Sequence, residues 1–260
     1  MGWFRSVLVS LALFGVSVGS MPARAQTEVD LALVIAVDVS ASMDADEQEL
    51  QREGYAEAFR DPLVQKAIRD GVIGRIAVTY MEWSGWRDQW VVLPWTVLDN
   101  PEGILAFADQ IARVPVHRER STSISGAVDR ASQLIAASGL AATRRVIDVS
   151  GDGSNNDGRP VTAARDEAVA KGLVVNGLPI MLKPPSYAYF TPDLERYYRD
   201  CVIGGQGAFL VPARERTQFQ AAIRLKILRE VSNAPEGLPL RVIPAQSPEV
   251  HIDCATGKRQ

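Results

Sequence analysis

The chain has 260 residues, of which 23% are charged, with 28 basic against 31 acidic side chains and a formal net charge of −3. No basic block stands out, so nucleic acid is not the expected partner. The length suits one well-buried α/β domain with a short appendage, and no segment after the N-terminus is long and apolar enough to span a membrane.

Residues 1–25 read as a secretory signal peptide: Arg5 gives a positive start, Ser6–Gly19 is an uncharged apolar stretch, and Ala23-Arg-Ala25 matches a cleavage site after Ala25. The apolar stretch falls short of the ~20 residues a membrane span requires. Export to the periplasm or the exterior is therefore expected, and the part after Ala25 carries a net charge of −5 once Arg5 and Arg24 are removed. Cys201 and Cys254 then occupy an oxidising compartment, where pairing is permitted. A disulfide tying the C-terminal tail to the domain is expected, with two unpaired thiols as the alternative.

From Asp30 to about Ala234, strand-like and helix-like patterns alternate, which predicts a parallel sheet with crossover helices. Leu31-Ala-Leu-Val-Ile-Ala-Val37 is apolar at every position, as in a strand buried on both faces. Asp44-Ala-Asp-Glu-Gln opens an acidic helix start that continues through Phe59 until Pro62 breaks it. Arg75–Trp83 and Gln89–Leu93 read as strands joined by the turn-rich link 84–88, implying one antiparallel pair at a sheet edge. Helices follow at Pro101–Ala112 and around Ile124, Ala127, Val128, Ala131, Leu134 and Ile135, whose spacing buries one face.

Arg144–Val149 reads as a strand, Pro160–Lys171 as a helix and Leu173–Leu182 as a further strand. Asn176-Gly177 resembles a hairpin turn, but the apolar run continues on both sides of it without alternation. A helix over Pro192–Cys201, a strand over Ala208–Val211 and a helix over Thr217–Ser232 complete six strands. The domain expected over 26–234 thus has a doubly wound, mostly parallel six-stranded sheet with one antiparallel edge strand and helices on both faces. Residues 235–260 form a proline-punctuated tail with β-prone pieces at Leu240–Ile243 and Glu249–Asp253, too short to bury a core of its own.

The chemistry concentrates at the carboxyl end of the first strand, where sheets of this kind place ligands. Asp38, Ser40 and Ser42 alternate there, offering three oxygens around one point, a set suited to a hard divalent cation rather than zinc or copper. Two further segments should approach the same edge. Thr122, in Ser121-Thr-Ser-Ile-Ser-Gly126, precedes the amphipathic helix, where a helix cap is its ordinary role. Asp152, in Ser150-Gly-Asp-Gly-Ser-Asn-Asn-Asp-Gly158, follows the 144–149 strand, where a turn is its ordinary role.

These three segments, in this order, resemble the von Willebrand factor A-type domain. Its metal-ion-dependent adhesion site combines an Asp-x-Ser-x-Ser loop with a threonine and an aspartate from two later loops. The resemblance covers roughly Asp30–Ala234 and carries the metal site onto Asp38, Ser40, Ser42, Thr122 and Asp152. It implies a Rossmann-like fold, a bound Mg²⁺ (or Mn²⁺ or Ca²⁺) and a protein partner that supplies a carboxylate. The export signal and the stretch Ile147–Gly158 look like an uncharacterised bacterial group of exported A-type domains. One departure is that the family commonly has a hydroxyl residue directly before the third-loop aspartate, where this chain has Gly151. Asp148 is the competing third-loop carboxylate, but it lies inside the strand and is expected to be a hydrogen-bonded structural group.

Three neutral hydroxyls leave most of a cation's charge uncompensated, and Mg²⁺ keeps exchangeable positions that a partner carboxylate could take. Competing patterns fail. The 152–158 loop lacks the glycine and glutamate of a calcium helix-loop-helix; His117 and His251 are isolated, against zinc; neither a Gly-x-Ser-x-Gly elbow nor a lysine-bearing phosphate loop occurs. Metal-dependent protein binding is the function expected, without enzymatic activity. An assembly subunit with a purely stabilising metal is the alternative, and a metal-dependent hydrolase the more remote one. The aromatic loop Lys183–Pro192, the group Trp83, Trp86, Trp90 and Trp95, and Arg118 with Arg120 are candidate partner-facing features, each with an ordinary packing or solvated role beside it.

Overall fold

The structure is a computed structural model and describes residues 26–115, 117–184, 191–232, 252–255 and 258–259. The expected signal peptide, the β-prone piece Leu240–Ile243 and the aromatics of the loop after Lys183 lie outside the described residues.

In chain order, strand β1 (Thr27–Asp38) is followed by helices α1 (Ala45–Arg60) and α2 (Pro62–Arg69), then β2 (Ile76–Trp83) and β3 (Gln89–Leu98). Helices α3 (Pro101–Arg113) and α4 (Ile124–Ala137) lead to β4 (Leu140–Gly151), α5 (Val161–Ala170) and β5 (Val174–Pro179). A short helix α6 (Leu194–Tyr197) runs into a π-helical turn (Tyr198–Val202), and α7 (Arg216–Val231) follows. The five-stranded sheet has the order β3-β2-β1-β4-β5, with every neighbouring pair parallel except the antiparallel β2 and β3.

The two faces of β1 explain its uninterrupted apolar run. Leu31, Leu33, Ile35 and Val37 pack with α1, α2, α3 and α7 in one core, while Val34 and Ala36 pack with α4, α5 and α6 in the other. Both faces are dry, so alternation would be unfavourable. The chain leaves β1 for β2 on one side and later returns to β4 on the other. The strand order therefore reverses between β1 and β4, and the crevice beyond their carboxyl ends is the switch point at which such sheets bind ligands. Register pairs Val37 with Ser150, so Asp38 emerges beside Gly151 and Asp152. At the opposite end, the buried Asp30 carboxylate accepts backbone hydrogen bonds from Ile73, Gly74 and Arg75, and its charge is consumed there.

Several expectations need correction. Among the described residues the sheet has five strands rather than six. Residues 209–213 run along β5, with Val211 N donating to Gly177 O (3.0 Å) and Ala213 N to Pro179 O (2.9 Å), but they form only isolated bridges. Pro179 of β5 has no N–H to donate to the Val211 carbonyl between those two bonds, so the ladder does not become continuous. It still covers the backbone edge that β5 would otherwise expose. Pro62 ends α1 as expected, yet it also starts α2. Asp61 closes the first helix, and its Oδ1 accepts from Leu63 N at 2.7 Å to cap the second. Asn176-Gly177 lies inside β5 as read. A Cβ on Gly177 would sit 2.7 Å from the Tyr198 ring, so glycine is required by close packing and not by a turn.

The Cys201–Cys254 disulfide forms, with Cα atoms 5.5 Å apart. It ties β6 (Ile252–Asp253), which pairs with β7 (Lys258–Arg259), onto the core beside α5 and the π-helical turn, where Ile252 is buried.

Candidate metal centre

The first loop folds over the end of β1 on its own side chains. Ser40 N donates to Asp38 Oδ1 at 2.7 Å, the Ser40 and Ser42 hydroxyls lie 2.9 Å apart, and Gln51 Nε2 of α1 donates to the Asp38 carbonyl at 3.2 Å. Asp44 and Glu47 then close a capping box that starts α1 immediately after the loop. Asp38, Ser40 and Ser42 are all buried.

The third loop reaches this cluster directly, since Ser42 Oγ donates to Asp152 Oδ1 at 2.5 Å. The same loop clasps the second. Thr122 N donates to Asn156 Oδ1 and Asn156 N to Thr122 O (both 2.9 Å), Ser125 N donates to Asn155 Oδ1 (2.9 Å), and Ser123 Oγ donates to Asp157 O (2.9 Å). The Ser154-Asn-Asn-Asp157 run is thus the fastener that brings Thr122 to Asp152. Thr122 Oγ1 lies 3.7 Å from where a Cβ on Gly153 would stand. Just before it, Ser121 holds a left-handed φ of 70°, with its carbonyl and that of Arg120 accepting hydrogen bonds from Ser84 Oγ. Such a strained backbone persists where the surroundings over-determine it.

Asp38, Ser40, Ser42 and Asp152 are thus linked by hydrogen bonds or close packing, Thr122 is held by its backbone against the loop that bears Asp152, and Asp152 rather than Asp148 lies in this cluster. Asp148 is turned into the core, where its partner is the buried Lys226 ammonium at 2.5 Å, so it is a buried carboxylate inside the strand as expected, held by an ion pair. Gly151 has a steric reason: a Cβ there would lie 2.7 Å from Asp38 Oδ2 and 3.0 Å from the Tyr198 hydroxyl.

Asp38 Oδ2 is fully buried and has no hydrogen-bond partner. Burial first, and the charge of Asp152 second, push its carboxyl up to about 8. An uncompensated buried carboxylate oxygen is costly, and a cation is the group that would relieve it. Among the described residues no cluster of three or more His, Cys, Asp or Glu is placed to hold a metal. Two carboxylates with three hydroxyls form an all-oxygen set, which fits a hard cation such as Mg²⁺ and does not fit a soft one.

Two residues of the site escaped the sequence reading. Lys183 donates to Asp152 Oδ2 at 2.7 Å and also pairs with Glu47 Oε2, with its side chain almost covered. The Asp44-x-x-Glu47 spacing was a visible capping signal, but nothing local to Lys183 announced its target. The tryptophans do not form one surface. Trp83 is buried, Trp95 Nε1 donates to Leu134 O on α4, Trp90 stacks on His117, and only Trp86, 51% exposed with Arg87 over its ring, faces solvent. His117 pairs with Glu82 at 2.5 Å, and Arg118 donates to the Ala41 carbonyl in the first loop.

With this geometry in view, the domain has the von Willebrand factor A-type fold. More particularly, residues 28–235 match the family described as a protein of unknown function (DUF1194), and the chain belongs to that family. Similar solved structures include proximal thread matrix protein 1 from the mussel byssus, described with a zinc-occupied MIDAS motif (14% identity, TM-score 0.56, 79% of this chain and 49% of that one). A von Willebrand factor type A protein from Catenulispora acidiphila is similar at 15% identity and TM-score 0.53, over 78% of this chain and 43% of that one. The open conformation of the pilus adhesin SpaC from Lactobacillus rhamnosus GG is similar at 13% identity and TM-score 0.55, over 80% and 30%. The chain thus spans less than half the length of each of these solved chains. No curated protein matches it.

Proposed function

We propose that this domain binds a divalent cation, Mg²⁺ in the first place with Mn²⁺ or Ca²⁺ as substitutes, through Asp38, Ser40, Ser42, Thr122 and Asp152, and through it an acidic side chain of a partner protein. The observation that carries this reading is the buried, unpartnered Asp38 Oδ2 in a cluster of oxygen donors drawn from separate loops at the switch point of the sheet. A bound cation supplies an electrophilic position for a carboxylate. The chain's own part is to hold the donors: Ser40 N orients Asp38, Ser42 orients Asp152, and the Asn155–Asp157 clasp fixes Thr122. The zinc-occupied motif described for the mussel protein and the adhesin description of SpaC support a metal-dependent binding role over catalysis. No helix among the described residues is long and apolar enough to cross a membrane, and with the leader-like residues 1–25 we place the working protein in the periplasm or outside the cell.

The test is calorimetric titration of the purified chain with Mg²⁺ and Mn²⁺, followed by capture of an immobilised peptide bearing a single aspartate, with and without chelator. Uptake and chelator-sensitive capture are expected for the native chain, and both should vanish in Asp38→Ala. Metal-independent capture that survives Asp38→Ala would replace this reading with the assembly-subunit one.

A further inference from the structure

Lys183 is the unusual member of the site. It follows β5 by a few residues and directs its ammonium to Asp152 Oδ2 (2.7 Å) and to Glu47 Oε2. Asp152 is therefore engaged on both oxygens, by Ser42 on one and by Lys183 on the other, whereas Asp38 keeps an unpartnered one. Two carboxylates, Glu47 and Asp152, share one resident cation that belongs to the chain itself, and Asp38 lies on the other side of Asp152. The Lys183 and Glu47 side chains are 10% and 1% exposed, so water screens little of the interaction.

The geometry points to Lys183 as an internal counter-cation of the metal site: it neutralises Asp152 and Glu47 in the metal-free protein, competes with a divalent cation for Asp152, and so holds metal affinity low. The inference rests on the metal-binding reading above and deepens it. Two positive centres a few ångströms apart in a half-dry crevice repel, and each must reduce the other's hold on a shared carboxylate by the same factor. The lysine also explains how two acidic loops stay together without metal, since it bridges the first turn of α1 to the loop after β4. Occupancy then responds to the surrounding cation concentration instead of remaining saturated.

The experiment compares Lys183→Met and Lys183→Arg with the native chain by Mn²⁺ and Mg²⁺ calorimetry at fixed pH and ionic strength, and by thermal melting in chelator. Lys183→Met should bind Mn²⁺ roughly tenfold or more tightly, melt lower in chelator, and gain a larger Tm increase from metal. Lys183→Arg, which keeps the charge, should stay near the native affinity. A lower melting point with unchanged Mn²⁺ affinity would mark a merely structural lysine and overturn the inference while leaving the metal reading intact. If neither the native chain nor Lys183→Met takes up metal, both fall. Should Lys183→Met not fold, reductive methylation of the native chain decides: saturating Mg²⁺ should increase labelling of Lys183 relative to chelator, and equal labelling overturns the proposal.

Discussion

Two clusters in this domain share a composition and differ in outcome. At the carboxyl edge of the sheet, Lys183 joins Asp152 and Glu47 with Asp38 beside them. Inside the fold, Lys226 of α7 lies 2.5 Å from Asp148 and 3.1 Å from Glu230. β4 serves both, carrying Asp148 in its interior and leading into the loop that bears Asp152. In the inner cluster both carboxylates have the lysine ammonium against them, although Asp148 Oδ2, like Asp38 Oδ2, accepts no hydrogen bond. Glu230 accepts two 2.9 Å hydrogen bonds from Asn176 Nδ2 and Asn176 Oδ1 accepts from Phe209 N, all buried, while the half-buried Arg144 donates to the Glu230 carbonyl. The edge cluster is incomplete, because its lysine reaches Asp152 but leaves one Asp38 oxygen unpartnered. A charge set closed by its own lysine is structure, and the same set left one cation short is the place proposed above to take up a cation. Burial accordingly raises both aspartates, Asp148 to about 6 beside its lysine and Asp38 to about 8 without one.

That contrast can be broken most directly at the inner cluster. Lys226→Met leaves Asp148 and Glu230 buried without their cation and should cost about 3–5 kcal/mol in urea unfolding, with no change in metal uptake. A cost below about 1 kcal/mol would mean that the cluster does not depend on its lysine.

At the edge cluster the sign should reverse. Asp38→Asn removes a carboxyl whose ionisation burial opposes, so in chelator at neutral pH it should stabilise the fold by about 1–3 kcal/mol while abolishing the rise in Tm on adding Mg²⁺. The pH dependence sharpens the point. Asp38 has a folded value of about 8 against an ordinary 3.8, so the stability held by its protonated form is fully present below about pH 4 and lost as pH rises through 8. Asp148 behaves alike but within a window ending near 6. The chelated native chain should therefore lose stability from pH 4 to 8, by at most about 1.4 kcal/mol per unit for each proton. Asp38→Asn should flatten the part above pH 6 and leave only the Asp148 share, about half the slope, below it. A native profile that rises over pH 6–8 would contradict the electrostatics of the edge cluster.

The smallest effect tests the frame of the site. Asp44→Ala removes the side-chain half of the capping box and should cost about 1 kcal/mol by thermal melting. Metal affinity should change little, because Glu47 keeps its lysine.

Much of this was legible in the chain itself. The uninterrupted apolar run of β1 required helices on both sides, the spacing in α4 defined its buried face, and Asp38, Ser40, Ser42, Thr122 and Asp152 stood at the ends of elements whose order implied convergence. These features depend on residues a few positions apart, which is the range over which strand alternation, helical spacing and caps operate. The five strands in place of six, the reason for Gly151, and above all the lysines were decided by tertiary structure. Lys183 meets a glutamate 136 residues away and an aspartate 31 residues away. Which carboxylate receives a lysine depends on which strands become neighbours and which helix lies across them, and a local pattern carries no record of either. The oxygen donors of the site were therefore written in the sequence, while the charge balance that leaves one of them unsatisfied arose only when the sheet closed.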